Sequence, residues 1–356
     1  MVDYEQIVAD IVRSVGSANV IPIGIYDNIR NFKKDPFGSA TNLAGILAPS
    51  LNVASSAVAA LGDKPNASGS GNTPILAAAL AVLKDMLQQC GAGVPDSGAD
   101  FKSGAQAFAA TAEQMGAASP PDSWTGSAST AYSDANEVQK HKAEALAKAD
   151  DTVAAALGAE ALHVAATRKS IESASHTLNG AVPVAILLGA LPHGDVISYG
   201  FQVQTVMYTM PLPIADFHRL TTAVTRYAAS VKAAATSYAQ ADATTGTPSL
   251  DPAQRLTVEP NALRRLSDSQ HVVAVMSKQA GALTADTGRN VFTTHGSACA
   301  PTSEAVMQAC IDRANSAQAI TMRADGLAAG LSAAADWYDR TDATGAANLA
   351  AQMNLE

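Results

Sequence analysis

Residues 127–180 read SASTAYSDANEVQKHKAEALAKADDTVAAALGAEALHVAATRKSIESASHTLNG, and their apolar spacing decides the fold class. Ala135, Val138, Leu146, Ala149, Val153, Leu157, Val164, Ile171 and Leu178 recur at steps of three and four or their sums, with charges between them. That is the stripe of one amphipathic helix, about 75 Å long if it covers roughly 50 residues. Asn179-Gly180 and Pro183 mark its expected end at about residue 179. A helix of that length is not stable alone and must lie along partners.

The rest of the chain supplies them. Pro74 opens a helix to about Gln89, with Ile75, Leu76, Leu80, Leu83 and Leu87 on one face. Three glycines and Pro95 break the segment 90–98, and a second helix then runs from about Ala99 to Met115. Residues 181–214 read as a broken apolar helix that folds back, bounded by Pro211 and Pro213, and another helix covers about 215–241. Near the end, a helix from Pro260 carries Leu263, Leu266, Val273, Met276, Ala280 and Leu283 inward and stops before Thr294. A last helix from Pro301 carries Val306, Cys310, Ala314, Ala317, Ile320, Ala324, Leu327, Leu331, Ala334 and Tyr338, the seam of an antiparallel hairpin. The expected fold is therefore all-α. Long antiparallel hairpins form a four-helix-bundle-like core, with an irregular short-helical segment over 1–70. The breakers divide the chain into 1–70, 71–241, a linker at 242–255 and a hairpin at 256–350.

Composition agrees. Of 356 residues 47% are hydrophobic but only 5% aromatic, which suits close-packed Ala-rich helices better than a β-sandwich. A net charge of −9 with no basic face excludes nucleic acid as a partner. The longest apolar run, 181–191, is about half a membrane span and contains Pro183. The first residues lack a basic stretch followed by an apolar run, so no conventional signal peptide is expected. Cys90, Cys299 and Cys310 form no disulfide framework and read as small buried residues, with a bond involving Cys90 left open.

Catalytic signatures are absent from the sequence: no phosphate-binding glycine loop, no Gly-x-Ser-x-Gly elbow, no His-Glu-x-x-His. No enzyme, cofactor or metal site is expected. The seven histidines are dispersed, and His163 with His176 lacks a third ligand at suitable spacing. Two turns and two tyrosine motifs remain. Trp124-Thr125-Gly126 joins two helices, and Thr294-His295-Gly296 occupies the equivalent place in the other hairpin. Tyr338 and Asp342 sit at i and i+4 on one helix face, and Tyr238 with Asp242 repeats the spacing.

The segment Cys90-Gly91-Ala92-Gly93-Val94-Pro95-Asp96, through Asp122-Ser123-Trp124-Thr125-Gly126 to Tyr132, resembles the EspA/EspE-type proteins of mycobacterial type VII (ESX) secretion. That likeness covers about 80–215. Residues 256–350 resemble the EspC/EspF type: Leu256-Thr257-Val258-x-Pro260 opens its first helix, Thr294-His295-Gly296-x-x-Cys299 is its turn, and Tyr338-x-x-x-Asp342 is its export motif. The resemblance implies a non-enzymatic, virulence-associated secreted or envelope-associated protein, exported without a cleaved signal. It implies recognition through a WXG-like surface made by Trp124, Gly126, His295, Gly296, Tyr338 and Asp342, with Tyr238 and Asp242 as the secondary candidates. Its partners would be the type VII secretion machinery and other Esp-type substrates or a chaperone, with a homo-oligomer and membrane contact left open. The alternatives are a generic helical scaffold and a lipid- or membrane-contacting helical protein using 181–214.

Overall fold

The structure, a computed structural model, describes residues 73–190, 194–243 and 258–353. The expectations for 1–70 and for most of the 242–255 linker lie outside those residues. The helices are α1 (Pro74–Gln89), α2 (Ala99–Ala117), α3 (Ser127–Gly189), α4 (Gly194–Thr209), α5 (Pro211–Ala243), α6 (Pro260–Ala282), α7 (Thr287–His295) and α8 (Ala300–Met353), with a 3₁₀ turn at Ser297–Cys299 before α8. No strand element occurs among the described residues, and the chain is all-α. No described helix is long and apolar enough to cross a membrane.

These helices form two compact units, and α3 and α5 contribute to both. Helix α3 passes without a break from one unit to the other, whereas turn residues 293–299, from the C-terminal hairpin, belong with α1. Backbone breakers locate turns, but the sharing of a continuous helix between cores leaves no breaker to read.

The first unit is built from α1, α3 from Glu160 onward, α4, α5 to Val224 and the turn 293–299. Its core holds Ile75, Leu76, Leu83, Val164, Ile171, Leu178, Ala185, Phe217 and Leu220, with Cys90 and Cys299. Here α3 continues past its expected end at residue 179. Asn179, Gly180 and Pro183 are all exposed, while Leu178, Ala181 and Ala185 continue the buried stripe. Pro183 faces water rather than the core, so the buried stripe outweighs the breakers. The expected broken helix over 181–214 becomes the end of α3 followed by α4. Polar groups hold them: the Ser198 hydroxyl donates to the Ala185 carbonyl (2.7 Å), Gln202 Nε2 donates to Ser198 Oγ (3.2 Å), and the Ile75 amide donates to Gln202 Oε1 (3.2 Å).

The second unit contains α2, α3 to Ala159, α5 from Thr225, α6, most of α7, and α8. Helix α6 packs along α8 and against α2. One core joins Phe101, Phe108 and Met115 of α2 to Leu146, Val153 and Leu157 of α3, Val231 and Tyr238 of α5, Val273 of α6, and Val306 and Ile320 of α8.

Two details of the C-terminal hairpin differ from expectation. The helix from Pro260 ends at Ala282, leaving Leu283 exposed, and α7 starts afresh at Thr287. Arg313 explains the break. Its Nη1 donates to the Gly281 carbonyl and to Thr284 Oγ1 (3.2 Å each), while the Thr287 hydroxyl donates to Asp100 (3.0 Å). On α8, Ala314 was expected inside, but Arg313 is fully buried and Ala314 exposed. Arg313 Nε donates to both oxygens of Asp150 (2.8 and 2.9 Å), and the guanidinium lies over the Phe108 ring (4.8 Å). The Tyr238 hydroxyl donates to the same carboxylate (2.7 Å). Burial pushes the Asp150 carboxyl up, against the pull of Arg313 and Tyr238. Gly104 makes the room: a Cβ there would lie 2.2 Å from Arg313 Nη2 and 2.3 Å from Asp150 Oδ2.

Candidate functional site

Two residue groups carry the expected recognition surface, one in each unit. In the second unit, the turn between α2 and α3 begins where the α2 carbonyls lose their helical partners. Side chains take them over. Tyr132 donates to the Ala118 carbonyl (2.7 Å) and Asn136 Nδ2 to the Met115 carbonyl (2.6 Å). From α6, Gln270 Nε2 donates to Tyr132 Oη (2.9 Å) and Asn136 Oδ1 (2.8 Å), completing a buried chain across three helices.

Trp124 sits beside this chain. Its amide donates to the Pro121 carbonyl (2.8 Å), its ring lies 5.4 Å from that of Tyr132, and only 7% of it is exposed. Gly126 has φ 106°, a value that disfavours any side chain. Trp124 and Tyr132 share a cluster with Ala118, Leu263, Leu266, Leu331 and Ala335, and Tyr338 packs against it. The Trp-x-Gly turn and Tyr338 thus lie at the same end of this unit. Asp342 is exposed one helical turn beyond Tyr338 on α8.

Sequence reading missed four residues here. Trp337 is 55% exposed and meets Tyr338 edge to face (5.0 Å between centroids, 76°). Arg264 of α6 pairs with Asp336 (3.0 Å) and Asp339 of α8, fixing the register of the exposed turn before Asp342. Adjacent aromatics and an i, i+3 acid pair were the available signals.

The secondary candidate behaves differently. Tyr238 is fully buried against Asp150, so this copy of the motif offers no phenol to a partner. Asp242 lies in the last turn of α5.

His295 and Gly296 belong to the first unit. Gly296 (φ 77°) lies so close to the end of α1 that a Cβ would be 2.2 Å from both the Gln89 carbonyl oxygen and the Gly91 nitrogen. Arg168 fastens the approach. It donates from Nε (3.1 Å) and Nη2 (2.6 Å) to the Cys90 carbonyl, and also to the carbonyls of Gly93 and Thr294. His295 is fully buried, with Nδ1 2.7 Å from Glu160 Oε1. It holds the turn together and is not displayed. His163 and His176 are both exposed on α3.

All three cysteines are free, with Cys90 and Cys299 buried. Burial pushes the Cys90 thiol to about 11, against the pull of the Arg168 guanidinium. Burial, then Asp150, raise the Tyr238 phenol as well. Raised acids of this kind stay protonated when folded but ionise when unfolded. Their contribution is complete below the unfolded thiol value near 9 and is lost as pH climbs toward the folded value. Urea-denaturation midpoints are expected to hold to pH 8.5 and fall above 9. Cys90 accounts for on the order of 3 kcal/mol of that loss, and Cys90→Ala flattens the decline. A midpoint unchanged to pH 11 would contradict this burial.

Comparison with known proteins gives two family matches on separate parts of the chain. The EspA/EspE family matches residues 90–173, and the family described as excreted virulence factor EspC of the diderm type VII ESX system matches residues 253–351. The chain is 36% identical over 121 residues to an ESX-1 secretion-associated protein EspE of Mycolicibacterium smegmatis, covering 34% of this chain and 23% of that protein. It is 29% identical over 124 residues to the Mycobacterium tuberculosis ESX-1 secretion-associated protein EspA, covering 35% of this chain and 32% of the relative. It is 28% identical over 102 residues to the EspE of that organism, covering 29% of this chain and 25% of the relative. The chain thus spans about a quarter to a third of the curated relatives it matches. No solved structure matches.

Proposed function

We propose, for a chain that joins an EspA/EspE-like region to an EspC-like region, that it is a non-enzymatic substrate of type VII (ESX) secretion. It acts by helix–helix assembly at or beyond the mycobacterial envelope. The observation that carries this reading is the packing of Tyr338 against the Trp124 cluster, with Asp342 and Trp337 exposed beside it. The two elements of an export signal, 214 residues apart in sequence, meet at one end of one folded unit. The curated relatives carry the name ESX-1 secretion-associated protein, and one matched family is described as an excreted virulence factor. The secretion machinery is the proposed partner: it reads the exposed face of α8 around Trp337, Tyr338 and Asp342, while Trp124 and Gly126 hold that face in position.

The test uses point variants in a mycobacterial host. Asp342→Ala removes an exposed carboxylate, so stability changes by no more than about 0.5 kcal/mol, while the protein is lost from the culture filtrate and retained in cells. Asp242→Ala leaves export intact, because its tyrosine partner is buried. Normal export of Asp342→Ala, or of a chain lacking its last 18 residues, would defeat the assignment.

A second reading rests on Leu187, Tyr199, Tyr208 and Leu212, which are 45–71% exposed on α3, α4 and α5 in the first unit. Such side chains suit contact with a lipid surface. Flotation of the purified chain with liposomes would favour membrane contact, and its absence would remove that reading.

A further inference from the structure

The first unit gathers three donor side chains that the export reading does not use. Glu160 of α3, His295 at the end of α7 and Cys299 of the 3₁₀ turn place one carboxylate oxygen, one ring nitrogen and one sulfur all within 4.8 Å of one another. All three residues are buried. We infer that this cluster binds a divalent transition-metal ion of the zinc class.

Chemistry selects the ion. A mixed sulfur, nitrogen and oxygen set suits zinc, whereas calcium and magnesium take oxygen ligands alone. A buried carboxylate is hydrogen-bonded, paired or bound to a metal, and Glu160 Oε1 lies 2.7 Å from His295 Nδ1. A dication bound among the three donor atoms would take the place of that contact and release the Cys299 thiol proton.

The site is built, not incidental. The His295-x-x-x-Cys299 spacing confines two donors to one turn, and the Gly91–Gly296 contact fixes that turn against α1. Glu160 arrives from a third direction on a rigid helix. Its position, between Leu157 and Val164 on the buried stripe of α3, is one that packing alone would fill with an apolar residue.

The experiment uses the full chain, reduced and freed of metal by a chelator. Titration with cobalt(II) is expected to give a thiolate-to-cobalt charge-transfer band in the near ultraviolet, saturating at one ion per chain and displaced by zinc. Cys299→Ser abolishes the band. Glu160→Gln and His295→Gln each weaken zinc, measured against a chromogenic chelator, by more than the about 10–100-fold that supporting residues contribute. The double variant Cys90→Ser/Cys310→Ser keeps the band, because Cys299 is then the sole thiol, and it guards against a Cys299 variant that fails to fold. No band in the unsubstituted chain, a band surviving in folded Cys299→Ser, or loss of the band in the folded double variant would each overturn the proposal. The cluster would then be a hydrogen-bonded network alone.

Discussion

Replacing Arg313 with Ala is expected to destabilise the second unit by about 3–5 kcal/mol, because it strands the Asp150 carboxylate in a dry core. Asp150 is fully buried and receives both Arg313 and Tyr238, and the guanidinium also packs on Phe108 and holds the Gly281 carbonyl. A double-mutant cycle separates the pair from the packing. Asp150→Ala in the Arg313→Ala background should cost far less than in the unsubstituted chain, since the orphaned charge has gone. Urea denaturation followed by circular dichroism gives both values. A loss below about 1 kcal/mol for Arg313→Ala would mean that water reaches the carboxylate, contrary to the burial described.

Trp124→Ala is expected to cost about 3–5 kcal/mol, the range for removing a packed aromatic. The ring is 7% exposed, stacks at a tilt on Tyr132 and joins α3 to α6 and α8 through the cluster with Leu263 and Leu331. Trp124→Phe, which keeps part of the contact, should cost much less. The tryptophan of the turn is therefore a wedge, and under the proposed export reading its loss impairs export by loosening the surface that α8 presents. Thermal melting of the purified variants decides this. A Trp124→Ala protein that melts with the unsubstituted chain yet fails to be exported would make the ring itself the contact.

Much of this fold is legible as helical periodicity. All the stripe residues read in 135–178 except Val138 are buried, because long Ala-rich helices have few other ways to hide apolar area. The buried positions that the stripe misplaces are charged groups. From Val306 and Cys310 the three–four alternation runs through Arg313 to Ala317, yet an arginine inside a core goes against the ordinary preference, which favours Ala314 instead. Asp150 and Glu160 likewise lie on the buried stripe of α3, although as charges they resemble the residues between stripe positions. Acid or base on an apolar stripe is the available sign of a buried pair, but its partner lies more than a hundred residues away and no local pattern names it.

The candidate site shows the same division. Trp124, Gly126, Tyr338 and Asp342 are visible as motifs, whereas their exposure is not. Trp124 and Tyr238 turn inward, His295 pairs with Glu160, and Trp337 faces out. Tyrosine–acid spacing places two groups on one helix face, and only the surrounding helices determine whether that face meets solvent.

Export by a type VII system is tested by comparing culture filtrates from two otherwise identical mycobacterial strains expressing the chain, one with an active type VII system and one with that system inactivated. The full-length protein is expected in the first filtrate and only in the cells of the second strain, with a cytosolic marker absent from both filtrates. Equal amounts in the two filtrates, or none in either despite folded protein in the cells, would refute export by this route.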